Sequence, residues 1–387
     1  MFIDVHCAQL KKRGQNAFGD YFLSKRGVEE GRVIAVLSDG LGSGVKANIL
    51  SCLTATMLLR FMDEHVDIKK AAETIMNSLP VCRIRKISYA TFSALECDED
   101  GAVRIVEEGN PDFIWMRGHE PLKSGYNVVA SNSFPDRRLK EYNFKVEMGD
   151  RLVFCSDGVT QAGLGRPGRF NFGLRRAGLT ELLKKKIKSE VDISSADLAR
   201  FVVEEAESFE PEQKAQDDIS ACVVYFRTPR RALIFTGPPY DTSSDAHYAR
   251  AFDSFSGRKA VCGGTTAKLL ARELGRDLTV ENHLPSGDLP PTANMKGVDL
   301  ITDGALTLAR TLEYLEKGLL GEADAAGRLT DFILRSDVLH FMVGAKLNQA
   351  HHDPRLPVEL EIRRNLVNNI VRTLERKYLK KVTVKRI

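Results

Sequence analysis

The chain has no Cys-x-x-Cys pair, no internal repeat, no low-complexity stretch and almost no excess of charge. Its seven cysteines (Cys7, Cys52, Cys82, Cys97, Cys155, Cys222, Cys262) are scattered, odd in number and mostly set in apolar runs. That is the distribution of reduced core thiols, and it excludes a zinc knuckle or a dithiol redox motif. A net charge of +4 is too small to argue for nucleic acid, and the densest basic run, Lys184-Lys185-Lys186 with Lys188, reads as a solvated helix face. Nothing at the N-terminus resembles a signal peptide, and no apolar stretch is expected to be long enough to cross a bilayer; the expected location is cytoplasmic, without membrane contact. At 387 residues, with 43% hydrophobic and 28% charged content, the chain reads as a globular protein of two domains.

What is present instead is a recurring acidic motif. The apolar run VIAVL at 33–37 reads as a strand buried on both faces, and it delivers Ser38 and Asp39 into the glycine-rich turn Gly40, Gly42, Gly44 ahead of a helical pattern at 45–62. A carboxylate where a buried strand meets a helix N-terminus needs a partner, because burying an unpaired charge is costly. The pattern returns at 151–158, where an apolar run ends in Ser156, Asp157 and Gly158. Asp217 and Asp218 open the apolar strand at 219–226, and Gly19-Asp20 precedes Tyr21-Phe22-Leu23. Carboxylates at four strand ends suit hard divalent cations such as Mg2+ or Mn2+ better than zinc. A dinucleotide loop is a poorer reading: the glycines are spaced G-x-G-x-G, with Val45 where a third would fall, and Asp39 would repel a pyrophosphate.

Strand signals at 2–8, 21–25 and 33–37 precede helices at 45–62 and 68–79; strands follow at 89–97, 102–107 and 112–117, the first pair joined by the turn Asp98-Glu99-Asp100-Gly101. After Pro121 the pattern is irregular until 145–147 and the strand ending at Cys155. Helices at 179–188 and 196–209, the latter behind the N-cap candidates Ser194-Ser195, lead to the strand at 219–226. This rhythm predicts mainly antiparallel sheets with helices outside them. Beyond Thr228-Pro229-Arg230-Arg231 strands and helices alternate, with strands at 232–235, 259–262, 278–281, 298–302, 338–343 and 381–385. Helices at 265–274, 305–317, 323–334 and 358–377 fall between them. The expected fold class is α+β, with a domain at 1–228 and a separate α/β domain with a largely parallel sheet at 229–387.

Taken in order, Gly19-Asp20, Ser38-Asp39-Gly40 with Gly42-Ser43-Gly44, Thr91-Phe92, Gly109-Asn110-Pro111, Ser156-Asp157-Gly158 and Asp217-Asp218 make a set. By that set, residues 1–228 resemble the metal-dependent protein phosphatases of the 2C-like (PPM) family, in its bacterial SpoIIE-type branch. The resemblance implies a PP2C-like β-sandwich flanked by helices on both faces, and a pair of Mn2+ or Mg2+ ions. It implies that Asp39 bridges both ions, that Gly40 lends its backbone carbonyl, that Asp157 and Asp218 hold the first ion, and that Asp20 supports the second. Asp217 is the weaker candidate of its pair. Two cations roughly 3.5 to 4 Å apart can deprotonate a water and screen phosphate charge. A serine or cysteine nucleophile is then not required, and Cys155 reads as a core thiol. Arg13 stands at a different spacing from the arginine that grips phosphate in the eukaryotic branch, and reads as a surface residue.

In the second domain, Cys262-Gly263-Gly264-Thr265-Thr266 could cradle an anion on backbone N–H groups and Thr302-Asp303-Gly304 is a second strand-to-helix turn, or both are plain glycine turns with Thr or Asp as N-caps. His351-His352-Asp353 is expected to be a surface loop rather than a metal site. The leading expectation is a serine/threonine phosphoprotein phosphatase acting on a phosphorylated regulatory protein, of the anti-sigma-factor antagonist type by analogy with the SpoIIE branch. A homodimer is left open. The competing expectations are a non-catalytic signalling adaptor, or a small-molecule sensor working through the C-terminal domain.

Overall fold

The computed structural model describes residues 1–27, 31–42, 44–78, 90–130, 138–165, 170–210, 212, 215–280, 292–345 and 356–387. The chain divides into two compact units, Met1–Thr228 and Pro229–Ile387.

In the first unit, β1 (Phe2–Leu10), β2 (Asp20–Arg26) and β3 (Val33–Gly40) precede α1 (Val45–Asp63) and α2 (Ile68–Ser78). Then come β4 (Ala90–Cys97), β5 (Ala102–Glu108), β6 (Ile114–Arg117), β7 (Glu120–Leu122), β8 (Asn127–Ala130), β9 (Arg138–Lys145) and β10 (Asp150–Cys155). Three helices, α3 (Asp157–Gln161), α4 (Arg175–Ser189) and α5 (Ser195–Ser208), lead to β11 (Ile219–Arg227). The strands form two sheets, I in the order β1-β11-β10-β6-β7 and II in the order β2-β3-β4-β5-β9-β8. Every named pairing within them is antiparallel.

Aromatic rings join the two sheets. Trp115 of β6 stacks on Phe144 of β9 with centroids 4.4 Å apart, and Phe113 meets Tyr142 edge-on at 4.9 Å. On the outer face of sheet I, Leu183 and Ile187 of α4 and Leu198 and Val202 of α5 pack against Val153 and Val223. On that of sheet II, Leu58 and Met62 of α1 and Ile75 of α2 pack against Val36 and Ala94. The result is the sandwich flanked by helices on both faces.

α1 corrects one expectation. By length and composition it could cross a membrane, with 19 residues at a mean hydropathy of 1.2. Its buried stripe, Ala47, Leu50, Thr54, Leu58 and Met62 among them, is instead spent on sheet II. The stretch after Pro121 is also more regular than its sequence suggests. β7 and β8 are edge strands, and Glu-Pro-Leu and Asn-Val-Val-Ala are too short to print an alternating pattern.

The cap expected at the head of α5 forms, whereas the Thr or Asp caps expected for the helices that begin at Gly264 and Ala305 do not, because Gly263 and Gly304 occupy those positions. The Ser194 hydroxyl accepts the Asp197 N–H at 3.1 Å at the head of α5. Ser194→Ala is expected to lower stability by about 1 kcal/mol, seen as a lower denaturant midpoint at unchanged m-value.

In the second unit, β12 (Arg231–Thr236), α6 (Asp245–Asp253), β13 (Arg258–Cys262), α7 (Gly264–Leu274), β14 (Thr279–Val280), β15 (Ala293–Asn294) and β16 (Leu300–Thr302) come first. α8 (Ala305–Lys317), α9 (Ala325–Leu334), β17 (Val338–Val343), α10 (Leu356–Lys377) and β18 (Lys381–Arg386) complete it. The sheet order is β14-β15-β16-β13-β12-β17-β18, parallel from β16 to β18 with an antiparallel edge at β14 and β15. Alternate residues of β12 feed two cores: Ile234 faces Leu308, Leu329 and Ile370 of α8, α9 and α10, while Phe235 faces Phe252 and Leu270 of α6 and α7. The sheet is therefore doubly wound. His351, His352 and Asp353 lie outside the described residues.

Candidate active site

The acidic motifs sit where strands of both sheets end. Antiparallel pairing of β2 with β3 places Asp20 opposite Asp39, at the start of one strand and near the end of the other. Asp39 is in side-chain hydrogen-bond contact with Asp20, and Asp157 with Asp39. Two Ser-Asp-Gly motifs 118 positions apart, from different sheets, thus meet at one place. Both serines work as staples: Ser38 Oγ donates to Thr91 O of β4 at 3.0 Å, and Ser156 Oγ donates to Asp218 O at 3.3 Å while accepting Ser220 N–H at 3.1 Å.

The glycines allow the approach. A Cβ on Gly40 would lie 2.2 Å from Ala47 O on α1, and one on Gly158 would lie 2.2 Å from Asp218 O. Side chains at either position would force the strand ends apart. Behind Asp39, Asn110 donates through Nδ2 to Leu37 O at 3.4 Å and to Ser93 Oγ at 3.3 Å, and accepts from Thr91 Oγ1. Ser93 Oγ in turn donates to Glu107 Oε1 at 3.1 Å, and burial pushes that carboxyl up to about 8.

Electrostatics makes the cluster acid-rich and strained. Burial raises the Asp39 carboxyl far above the ordinary range, and the neighbouring Asp20 and Asp157 raise it further. Asp20, 2% exposed, is raised to about 7 by burial against the opposing hydrogen bonds of Ser220 and Ser156. Asp157 is raised by burial and then by Asp217, while Gln161 Nε2, donating to its Oδ2 at 2.7 Å, acts the other way.

The two members of the last acidic pair, Asp217 and Asp218, sit in different surroundings. Asp218, 4% exposed, spends both oxygens on backbone: Oδ1 accepts Lys12 N–H at 2.8 Å and Oδ2 accepts Gly19 N–H. It ties the β1–β2 connection to the head of β11. Asp217, with 49% of its side chain exposed and Lys12 Nζ 3.7 Å away, is the one whose charge acts on both Asp39 and Asp157. Asp218 acts on Asp20.

The donors are all oxygen, and three carboxyls held together against their own repulsion fit a hard divalent cation, whose charge would relieve that repulsion. Among the described residues, however, no group of three acidic, histidine or cysteine side chains is already closed around one point. The carboxyls meet pairwise, Asp20 with Asp39 and Asp39 with Asp157.

The family described as Stage II sporulation protein E (SpoIIE) matches residues 29–227, just over half of the chain. The chain belongs to the SpoIIE family. Among curated relatives, the Stage II sporulation protein E of Bacillus subtilis (strain 168) is 27% identical over 243 residues, which cover 60% of this chain and 27% of that protein. The protein of that name from Priestia megaterium is 25% identical over 159 residues, 41% of this chain and 27% of the relative. This SpoIIE-family chain therefore spans about a quarter of the length of either relative. Among solved structures, the PP2C phosphatase domain with a fragment of the regulatory domain of SpoIIE from Bacillus subtilis has a TM-score of 0.46 at 22% identity, covering 58% of this chain and 62% of that one. RsbX in complex with magnesium has a TM-score of 0.39 at 20% identity, covering 57% and 94%.

Several contributors to this SpoIIE-type site carry little signal in sequence. Ser220 Oγ donates to Asp20 Oδ2 at 2.6 Å, and only its period-two spacing from Asp218 could have marked it. Gln161 is legible only once 157–161 is known to be helical, which puts it one turn after Asp157. Arg13 pairs with Glu212 at 3.7 Å with 60% of its side chain exposed. Cys155 is fully enclosed and burial pushes its thiol up to about 12, which removes it as a nucleophile at neutral pH. Cys155→Ala is expected to leave phosphate release within about twofold while lowering stability by about 1 kcal/mol, checked by turnover and denaturation on the same sample.

Proposed function

We propose that the chain is a divalent-metal-dependent phosphatase of phosphoserine or phosphothreonine, with Asp39, Asp20, Asp157 and Asp217 and the Gly40 carbonyl as metal-binding groups. The observation that carries this reading is the meeting of Asp39, Asp20 and Asp157 at the ends of strands from two sheets, each carboxyl raised by burial and by its neighbours. Two Mn2+ or Mg2+ ions bound there would supply an acidified water and screen the charge of the phosphoryl group.

The chain's own residues do the rest. Ser220 and the paired β2 and β3 hold Asp20 facing Asp39. Gln161 orients the Asp157 carboxylate from one helical turn away. Asp218 braces the loop that carries Gly19 and Asp20, a positioning role rather than the first-metal role expected of it. On that same loop, Lys12 beside Asp217 and Arg13 beside Glu212 offer positive charge for an incoming phosphoprotein. Membership of the SpoIIE family supports a small phosphorylated regulator, of the anti-sigma-factor antagonist type, as the substrate class.

The test is release of phosphate from a phosphoserine peptide by the metal-stripped chain, with and without added Mn2+. Turnover that appears with Mn2+ and vanishes on chelation supports the proposal. Well-folded, metal-saturated protein that releases nothing would sink it and favour a binding role.

A further inference from the structure

In the second unit, ligands of doubly wound sheets bind beyond the carboxyl ends of the parallel strands. Between β12 and β17, where the strand order reverses, that crevice is filled: a Cβ on Gly344 would fall 2.0 Å from Pro238 O and 2.2 Å from Gly237 O. One strand further along, the edge is open. β13 passes through Gly263 into α7, and β16 passes through Asp303 and Gly304 into α8. The two exits are neighbours: Cys262 pairs with Thr302, Gly263 N–H donates to Thr302 O at 2.9 Å, and a Cβ on Gly304 would lie 3.7 Å from Gly263 Cα. A Cβ on Gly264 would meet nothing within 4 Å, and one on Gly263 would meet only Thr266 Oγ1, at 3.5 Å.

Both helices start without a side-chain cap and without an acidic residue in the first turn. In α7 the first amide with an acceptor in the helix ladder is that of Ala267, bonded to Gly263 O at 3.0 Å, so the N–H groups of Gly264, Thr265 and Thr266 are left without an intrahelical acceptor. Thr266, 1% exposed, stands over Gly263 at the same helix start, and its Oγ1 has no hydrogen-bond partner. Thr236 at the end of β12 and Thr307 in the first turn of α8, both 0% exposed, are also unpartnered at Oγ1. Three buried hydroxyls without partners at one edge of a sheet are unusual, since a buried polar group left unpaired is destabilising unless something fills it. Asp303, half-buried between the two helix starts, makes no side-chain hydrogen bond or ion pair among the described residues.

We propose that this edge binds a phosphate ester that also carries hydroxyl groups, such as a sugar phosphate or a nucleotide. The phosphoryl group lies on the N–H groups of 264–266 and the Thr266 hydroxyl, where helix geometry favours an anion. Asp303 accepts a hydroxyl of the same ligand. Its charge disfavours bare phosphate, so the ester is bound better than inorganic phosphate.

The test is calorimetric titration of the full chain, stripped of divalent metal so that the acidic cluster of the first unit does not hold phosphate. The probes are ribose 5-phosphate, AMP and inorganic phosphate. Saturable binding of ribose 5-phosphate or AMP, at least tenfold tighter than phosphate, is expected; a preference for AMP identifies a nucleotide, and equal affinities a sugar phosphate. Gly264→Glu puts a carboxylate in open space at the start of α7, where it favours the helix, so the fold holds while ester binding falls at least tenfold. Asp303→Asn is expected to narrow the gap between ester and phosphate. No binding of either ester by the wild type, phosphate bound as tightly as the esters, or wild-type affinity in Gly264→Glu would each overturn the proposal.

Discussion

Asp39→Asn is expected to lower Mn2+-dependent phosphate release by about a thousandfold or more, the scale at which a preorganised charge at a reacting centre acts. Asp39 is in contact with both Asp20 and Asp157, so its loss disconnects the halves of the site supplied by the two sheets. The same change should make the metal-free protein more stable, which distinguishes it from a variant that fails to fold. The sign follows from the raised carboxyls. A group whose folded pKa exceeds its unfolded one holds an extra proton in the folded state, so stability is highest at low pH and falls as pH rises through the interval. For Asp20 that interval runs from the ordinary carboxylate range to about 7, and Asp39 extends it upward. Metal-free wild type should therefore lose stability between pH 5 and pH 8, and Asp39→Asn should lose less. Added Mn2+ should raise the wild-type Tm more at pH 8 than at pH 5, because binding displaces those protons. A variant that keeps turnover, or a wild type whose metal-free Tm climbs over that pH range, would contradict this account of the site.

The second large effect separates two adjacent residues. Asp218→Asn replaces one acceptor oxygen with an N–H2 group facing a backbone N–H, either that of Lys12 or that of Gly19. One buried donor is then unsatisfied and the charge assistance of the other bond is gone, a loss of roughly 3 kcal/mol. In a domain of this size that lowers Tm by about 6–12 °C. Asp217→Asn, at a half-exposed side chain with one loose ion pair, should leave Tm almost unchanged yet cut turnover by about a hundredfold. Scanning calorimetry and phosphate release on both variants check this. The opposite pattern, a stable but inactive Asp218→Asn beside an active Asp217→Asn, would return Asp218 to the metal.

Much of this protein is legible in one dimension. Strands such as VIAVL and RLVFC announce themselves because burial on both faces demands continuous apolar residues, and an acidic residue at the end of such a run stands out against that demand. The change at 228–229 from clustered strands to strands interspersed with helices marks the passage from antiparallel sheets to a doubly wound one, because parallel strands need a crossover between them. The edge strands β7 and β8 and the five-residue α3 leave too few residues to show a period, and the missing α3 concealed the pairing of Gln161 with Asp157.

How differently the neighbours Asp217 and Asp218 are placed was decided only in three dimensions. Neighbouring residues project in different directions, and the choice is made by backbone N–H groups 206 and 199 positions away, at Lys12 and Gly19. The same holds for the open edge of the second unit. GGTT and TDG are each an ordinary turn in sequence, and parallel registry of β13 with β16 is what sets their uncapped helix starts and unpartnered hydroxyls side by side. The residue types and their order along the chain come from local demands of burial and turn geometry, which the sequence carries by itself. The direction each polar group faces comes from contacts between distant segments, which exist only after the strands have paired.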